Sequence, residues 1–137
     1  MSNQKWSPSA HGAFLHMDEY GRNWHGPYPF TPTDITEHAP GRFGVYQLLY
    51  TGYSGSMVAY IGVATGDTIR GRLRKHATGA GNWALGRLGD PKKFSFVYFE
   101  CDAASARQIE SHVIEKRKPP FNTRPEYKHF TPSISVH

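Results

Sequence analysis

GVYQLLYTGYSGSMVAYIG, residues 44–62, is the stretch from which the rest of the chain is read. β-Branched and aromatic residues fill 44–51 and 57–63, and TGYSGS between them supplies turn chemistry, so the stretch predicts a β-hairpin. Tyr46 lies on its first strand and Tyr60 on its second. Tyrosine is common in strands, so packing alone would account for either one.

After the hairpin, Asp67 or Thr68 is placed to cap a helix that runs to about Ala77. FSFVYFE, residues 94–100, reads as a third strand. A helix over about Ala103–Lys116 follows and stops at Pro119-Pro120, because a proline ring cannot continue the helical ladder. The glycine-rich connection 78–92 has room for a short helix around Trp83. Ahead of the hairpin, residues 1–42 are rich in Pro, Gly, His and aromatics and keep no period. They predict an irregular arm packed on the core, with Thr33 or Asp34 capping one helical turn before Pro40. The expected organisation is therefore an arm (1–42), a core (43–123) and a polar tail (124–137). The expected fold is a small α+β domain with a three-stranded antiparallel or mixed sheet flanked by helices.

At 137 residues, one domain with a real core is expected. The 16 Lys and Arg outnumber the 11 Asp and Glu, which suits a polyanionic partner. With Cys101 as its single cysteine, the chain cannot form an internal disulfide, which suits a reducing compartment. No run of about eighteen apolar residues is present, and the first residues lack a signal-peptide core. A cytoplasmic protein with no membrane partner is expected.

Two helices carry the candidate chemistry. At the helical period, Ile69, Arg72, Leu73 and His76 share one arc of roughly 100°. Arg70, Arg74 and Lys75 fall outside it; a solvated basic helix face would account for them, and with Arg87, Lys92 and Lys93 they are the candidate contacts to a polyanion such as DNA. In the second helix Ala103, Ala106, Ile109, Val113 and Ile114 define the apolar arc, and Glu110 falls inside it. A carboxylate there needs a compensating cation, which a structural arginine or a metal ion could supply. Beyond it, the two prolines and Phe121 hold Asn122 at a defined place, where a structural cap would also account for it.

The order GVY (44–46), YIG (60–62), RLRKH (72–76), Glu110 in a helix and PFN (120–122) resembles the GIY-YIG nuclease superfamily over residues 44–122. YIG matches letter for letter, and Val45 replaces the central isoleucine of the first half-motif. The interval from Tyr60 to Arg72 is about two residues longer than in many members. Val63 stands where some members carry a basic residue. The resemblance implies that Tyr46, Tyr60, Arg72, His76, Glu110 and Asn122 converge on a DNA phosphodiester. In that arrangement Glu110 holds one Mg²⁺ or Mn²⁺, Arg72 clamps the phosphate and Tyr46 accepts a proton from water. Tyr60 binds the phosphate or the water, His76 assists Tyr46 or is itself the base, and Asn122 steadies Glu110 or the phosphate. Arg72-x-x-x-His76 and the Glu110-to-Asn122 interval resemble the restriction-enzyme branch, which implies a restriction or phage-defence nuclease. A structure-selective repair or mobile-element nuclease is the alternative, as is a binding module without turnover. A palindromic target would require a homodimer.

Overall fold

Strand alternation and two differently apolar helices organise the fold. The computed structural model describes residues 15–52, 55–78 and 93–122. Their elements are β1 (Leu15–Met17), β2 (Asn23–Pro29), α1 (Pro32–His38), β3 (Gly44–Gly52), β4 (Gly55–Ala64), α2 (Ile69–Ala77), β5 (Phe94–Glu100) and α3 (Ala103–Arg117). The strands form one antiparallel sheet in the order β1-β2-β5-β3-β4.

Because successive strand side chains point to opposite faces, each central strand feeds two cores. Tyr46 and Leu48 of β3, Ala59 and Tyr60 of β4, and Phe96 and Tyr98 of β5 pack with α1 and α2 through Ile35, Ile69 and Leu73. Val45, Ile61 and Val97 point the other way and pack with Trp24 and with Ala106, Ile109 and Val113 of α3. Both helices start where a side chain can satisfy free backbone donors: Thr68 accepts from Gly71 N–H at 3.0 Å, and Asp102 from Ser105 N–H at 2.8 Å. At the end of α3, Lys118 takes a left-handed conformation (φ 47°) as the C-cap.

The expectation of three strands is corrected to five among the described residues, four of seven to ten residues and a three-residue edge strand. The irregular arm is corrected with it. Residues 15–17 and 23–29 are strands, and Trp24, Tyr28, Phe30 and Ile35 belong to the cores. Their strand character is masked in the sequence because the β2–β5 register shifts between His25 and Tyr28. Burial still alternates through the shift, but the buried position at its centre is Gly26, and Pro27 and Pro29 argue against a strand. The helical turn near 33–38 exists, but Thr31 caps it, accepting from Asp34 N–H at 3.1 Å. The connection from residue 79 to 92, with Arg87, Lys92 and the expected helix around Trp83, lies outside the described residues, as does the tail from 123.

Arg70 departs from its expected role. Its Nε–H donates to the Ala39 carbonyl at 2.8 Å, tying α2 to the end of α1, and the side chain is half-buried rather than free for DNA. Arg70→Ala should therefore lower unfolding free energy by about 1 to 3 kcal/mol, the usual cost of losing a charge-assisted hydrogen bond. Arg74→Ala, at an exposed position, should leave it unchanged; urea denaturation of the two variants checks this.

Candidate active site

The centre of the site is prepared by two glycines. Tyr46 stands opposite Gly62 in β4 and opposite Tyr98 in β5. Its ring lies directly over Gly62: a Cβ at that position would collide with the phenol oxygen and ring of Tyr46. The last letter of YIG is thus the space that the tyrosine of GVY occupies. At Gly44 a Cβ would strike the Phe99 carbonyl and crowd Ile69 of α2. Its absence lets β3 lie close to both β5 and the helix. Tyr60, paired with Leu48 one step along the ladder, points to the same face as Tyr46, with ring centroids 6.2 Å apart.

Onto this pair α2 lowers Arg72 and His76, which one helical turn places on the same side. Ile69, Leu73 and His76 are the buried residues of α2, and Arg72 is half-buried beside them. His76 Nε2 lies 2.7 Å from the Tyr46 phenol oxygen. The His76 ring meets Tyr60 edge-on, centroids 5.2 Å apart at 70°. Arg72 interacts with the same phenol. A guanidinium can only donate, so Arg72 does not compete for the phenol proton; of the two other neighbours of the phenol, Tyr60 and His76, the neutral imidazole nitrogen is the stronger acceptor, which assigns the proton to His76 Nε2.

The electrostatics agree with that assignment. Burial, reinforced by Tyr60, pushes the Tyr46 phenol well above its ordinary value, and the hydrogen bond from Arg72 offsets this only in part. Burial and the neighbouring Arg72 charge together lower His76 to about 4. Its hydrogen bond to Tyr46 makes Arg72 hold its proton more firmly than usual. At neutral pH the cluster therefore contains a protonated phenol, a neutral imidazole and one cation, Arg72. Tyr46 is fully enclosed, while Tyr60 and His76 keep only 7% and 6% of their surface exposed, so Arg72 forms the solvent side of the cluster.

Tyr46, Tyr60, Arg72 and His76 are thus brought together; Glu110 and Asn122 are placed differently. Glu110 is half-buried on α3, the helix whose Ile109 and Val113 pack on the opposite face of the sheet. Burial raises its carboxyl, with Arg107 opposing the shift. Among the described residues no hydrogen bond or ion pair joins it to the tyrosine cluster. The one group of three possible metal ligands found there is Asp34, Glu37 and His38 on α1, in which Asp34 serves the Thr31 cap and His38 stacks on Tyr28. Asn122 uses both ends of its amide on the free edge of β4. Its Oδ1 accepts from Ile61 N–H at 3.1 Å and its Nδ2 donates to Ile61 C=O at 2.9 Å. Phe121 N–H adds a bond to the Ala59 carbonyl at 2.9 Å. The segment after α3 is thereby stitched along the strand that carries Tyr60, and the Asn122 side chain holds that strand.

Of the remaining expected DNA contacts, Arg74 and Lys93 are exposed, and Lys75 pairs with Asp67 at 3.1 Å. Tyr98 was missed. It faces Tyr46 across β5, its pKa is pushed up to about 12 chiefly by burial, and His25 stacks on it at 5.0 Å. FSFVYFE shows its alternation but not the strand it pairs with.

The depressed His76 value makes a stability statement. A group lowered from 6.5 to about 4 on folding contributes stability that is complete above pH 6.5 and is lost as pH falls through about 4. The size is about 3 kcal/mol. His76→Gln should remove this part of the acid sensitivity; urea denaturation of both proteins from pH 7 to pH 4 measures it, and equal slopes would contradict the buried neutral imidazole.

A family model described as the GIY-YIG catalytic domain matches residues 42–124, more than half of the chain. No curated protein matches. Two solved structures do, both of the GIY-YIG N-terminal endonuclease domain of UvrC from Thermotoga maritima, each a point mutant bound to its catalytic divalent cation. The first is 23% identical with a TM-score of 0.49, the second 22% identical with a TM-score of 0.48. Each alignment covers 66% of this chain and 96% of the UvrC domain. With the GIY-YIG catalytic domain spanning GVY, YIG, Arg72, His76 and Glu110, the chain belongs to the GIY-YIG family as an endonuclease of that type.

Proposed function

We propose that the chain is a divalent-metal-dependent DNA endonuclease that hydrolyses phosphodiester bonds at the Tyr46–Tyr60–Arg72–His76 cluster, in a restriction or phage-defence setting. The observation that carries this reading is the 2.7 Å contact between Tyr46 and His76, with Arg72 on the same phenol. It supplies a proton acceptor and a phosphate-binding cation in one place, inside a domain of matching family.

Tyr46 is not a standing phenolate, because its proton is held firmly and is aimed at His76. The geometry supports a relay: the phenol oxygen takes a proton from the attacking water as its own proton passes to His76 Nε2. The water oxygen bonds to phosphorus, and the bond to the leaving sugar oxygen breaks. Arg72 neutralises the non-bridging oxygens with its planar fork of donors. In the resting chain the same guanidinium caps Tyr46, so a phosphate that draws Arg72 away also uncovers the phenol. Tyr60, at the rim of the cluster, orients the phosphate or the water.

Glu110 is the residue that would hold the metal. Its carboxyl is strained upward by burial and has no ion-pair partner among the described residues, which suits a hard cation that takes few protein ligands. Bound there, Mg²⁺ or Mn²⁺ would supply charge stabilisation to the phosphate and leaving oxygen.

The restriction setting is supported by the Arg72-x-x-x-His76 element, whose histidine the fold uses directly on Tyr46. DNA is the expected partner, and none of the described helices is long and apolar enough to cross a membrane. Sequencing the ends cut from random DNA should reveal a recurrent site, and a palindromic one would point to a homodimer. Ends without any common sequence would instead favour a repair or mobile-element nuclease.

Plasmid cleavage with Mg²⁺ or Mn²⁺ tests the chemistry. Tyr46→Phe and His76→Ala should each lose about 100-fold or more in rate, the range of a lost acid–base group. Arg72→Ala should lose about 100- to 1,000-fold. Glu110→Gln should not cut in any divalent metal yet should still bind DNA. A near wild-type rate for Tyr46→Phe would overturn the relay. Near wild-type cutting by Glu110→Gln would place the metal elsewhere.

A further inference from the structure

On the face of the sheet away from Tyr46, a cavity of about 410 Å³ opens between the β1–β2 turn, the second half of α3 and the strands β3, β4 and β5. Its bed is apolar: Leu49, Val58, Val97 and Val113 line it. Its wall is polar and incompletely satisfied. Gln47, on the cavity side of β3, is only 9% exposed, and its amide makes no hydrogen bond among the described residues. Arg22 and His112 line the same cavity, and Arg22 Nη2 and His112 Nδ1 are enclosed without a partner. Two enclosed, unpartnered nitrogens beside one cavity whose floor holds an unbonded amide are unusual in a folded chain, where buried donors and acceptors are nearly always paired.

The wall is also held in place. Asp18 accepts from Arg22 Nε at 2.8 Å and from Trp24 Nε1 at 3.0 Å. Tyr20 stacks on His112 with centroids 5.4 Å apart, and the Arg22 guanidinium lies 4.7 Å from the Tyr20 ring. Across the mouth, Glu19 pairs with Arg117 at 2.9 Å and Lys116 at 3.7 Å. These contacts fix the loop against α3 and leave Gln47 at the floor.

We propose that this cavity is a second binding site and that it takes a nucleobase, free or carried on a nucleotide. The volume falls within the range of small-molecule sites. A flat heterocycle can lay its face on the aliphatic bed. Its edge can meet the Gln47 amide, which both donates and accepts as a base edge does. The charged groups at the mouth are already paired, so recognition falls on the base and not on the phosphate. The site shares no residue with the cleavage cluster, and the inference does not rest on the cleavage reading.

Calorimetry and saturation-transfer NMR on the full chain, with deoxynucleosides and their 5′-monophosphates as probes, test it. Saturable binding is expected with dissociation constants at or below about 1 mM, similar for a nucleoside and its monophosphate. Gln47→Leu should weaken it about tenfold, and His112→Phe, which keeps the ring against Tyr20 but removes Nδ1, should also weaken it. Tyr46→Phe should bind the nucleosides as the wild type does, which separates this outcome from any result on cleavage. A single-stranded oligonucleotide that competes, dependent on Gln47, would assign the base to a nucleic-acid strand; competition by monomers alone would assign it to a free nucleotide. Displacement by inorganic phosphate, wild-type affinity in both wall variants, or no saturable binding would each overturn the proposal.

Discussion

The hydrogen bond between the Tyr46 phenol and His76 Nε2, 2.7 Å long and enclosed, sets conditions that much of the structure exists to meet. It links the central strand β3 to α2 across a sequence gap of 30 residues. Leaving either polar group buried without the other would cost a desolvation penalty of about 1 to 3 kcal/mol. The contact needs the ring of Tyr46 to lie flat over β4, which only glycine at position 62 allows. It also needs α2 to sit low on the sheet, which Gly44, Ile69 and Leu73 together permit. Arg72 then arrives on the same phenol through helical spacing alone.

The two faces of the sheet divide the labour. One face gathers Tyr46, Tyr60 and Tyr98 under α1 and α2; the other packs α3 through Ala106, Ile109 and Val113. What joins them is the turn after α3. Phe121 inserts into the tyrosine-side core, and Asn122 closes on Ile61 from the strand edge. An edge strand with free N–H and C=O groups is a place where chains mispair. Here the chain's own amide covers that edge next to Tyr60, which gives the residue a reason to be asparagine without any contact with substrate.

Local periodicity was legible in the sequence, and long-range pairing was not. The hairpin, the strand at 94–100, both long helices and the phase that puts Arg72 and His76 beside Ile69 and Leu73 follow from alternation and the helical repeat. The β2 strand is hidden because a glycine fills its middle buried position and prolines flank Tyr28, leaving Trp24 and Tyr28 as the only apolar trace of its alternation. Arg70 reads as a solvent cation from its helical phase, yet the Ala39 carbonyl that captures it is 31 residues away, a partner no local pattern contains. The same holds for Asn122 with Ile61, 61 residues apart, and for Tyr98 facing Tyr46. Family resemblance supplied the identity of the cluster; the fold supplied the direction of its proton.

That direction can be read without any substrate. Nitrogen-15 NMR of the histidine ring, titrated from pH 8 to pH 3.5, reports which His76 nitrogen carries the proton and where the ring becomes charged. At neutral pH the account predicts an unprotonated Nε2 that accepts from Tyr46 and a protonated Nδ1. The ring should charge near pH 4, and Tyr46→Phe should alter the Nε2 signal. A His76 that titrates near 6.5, or that carries its neutral-state proton on Nε2, would contradict the account at its centre.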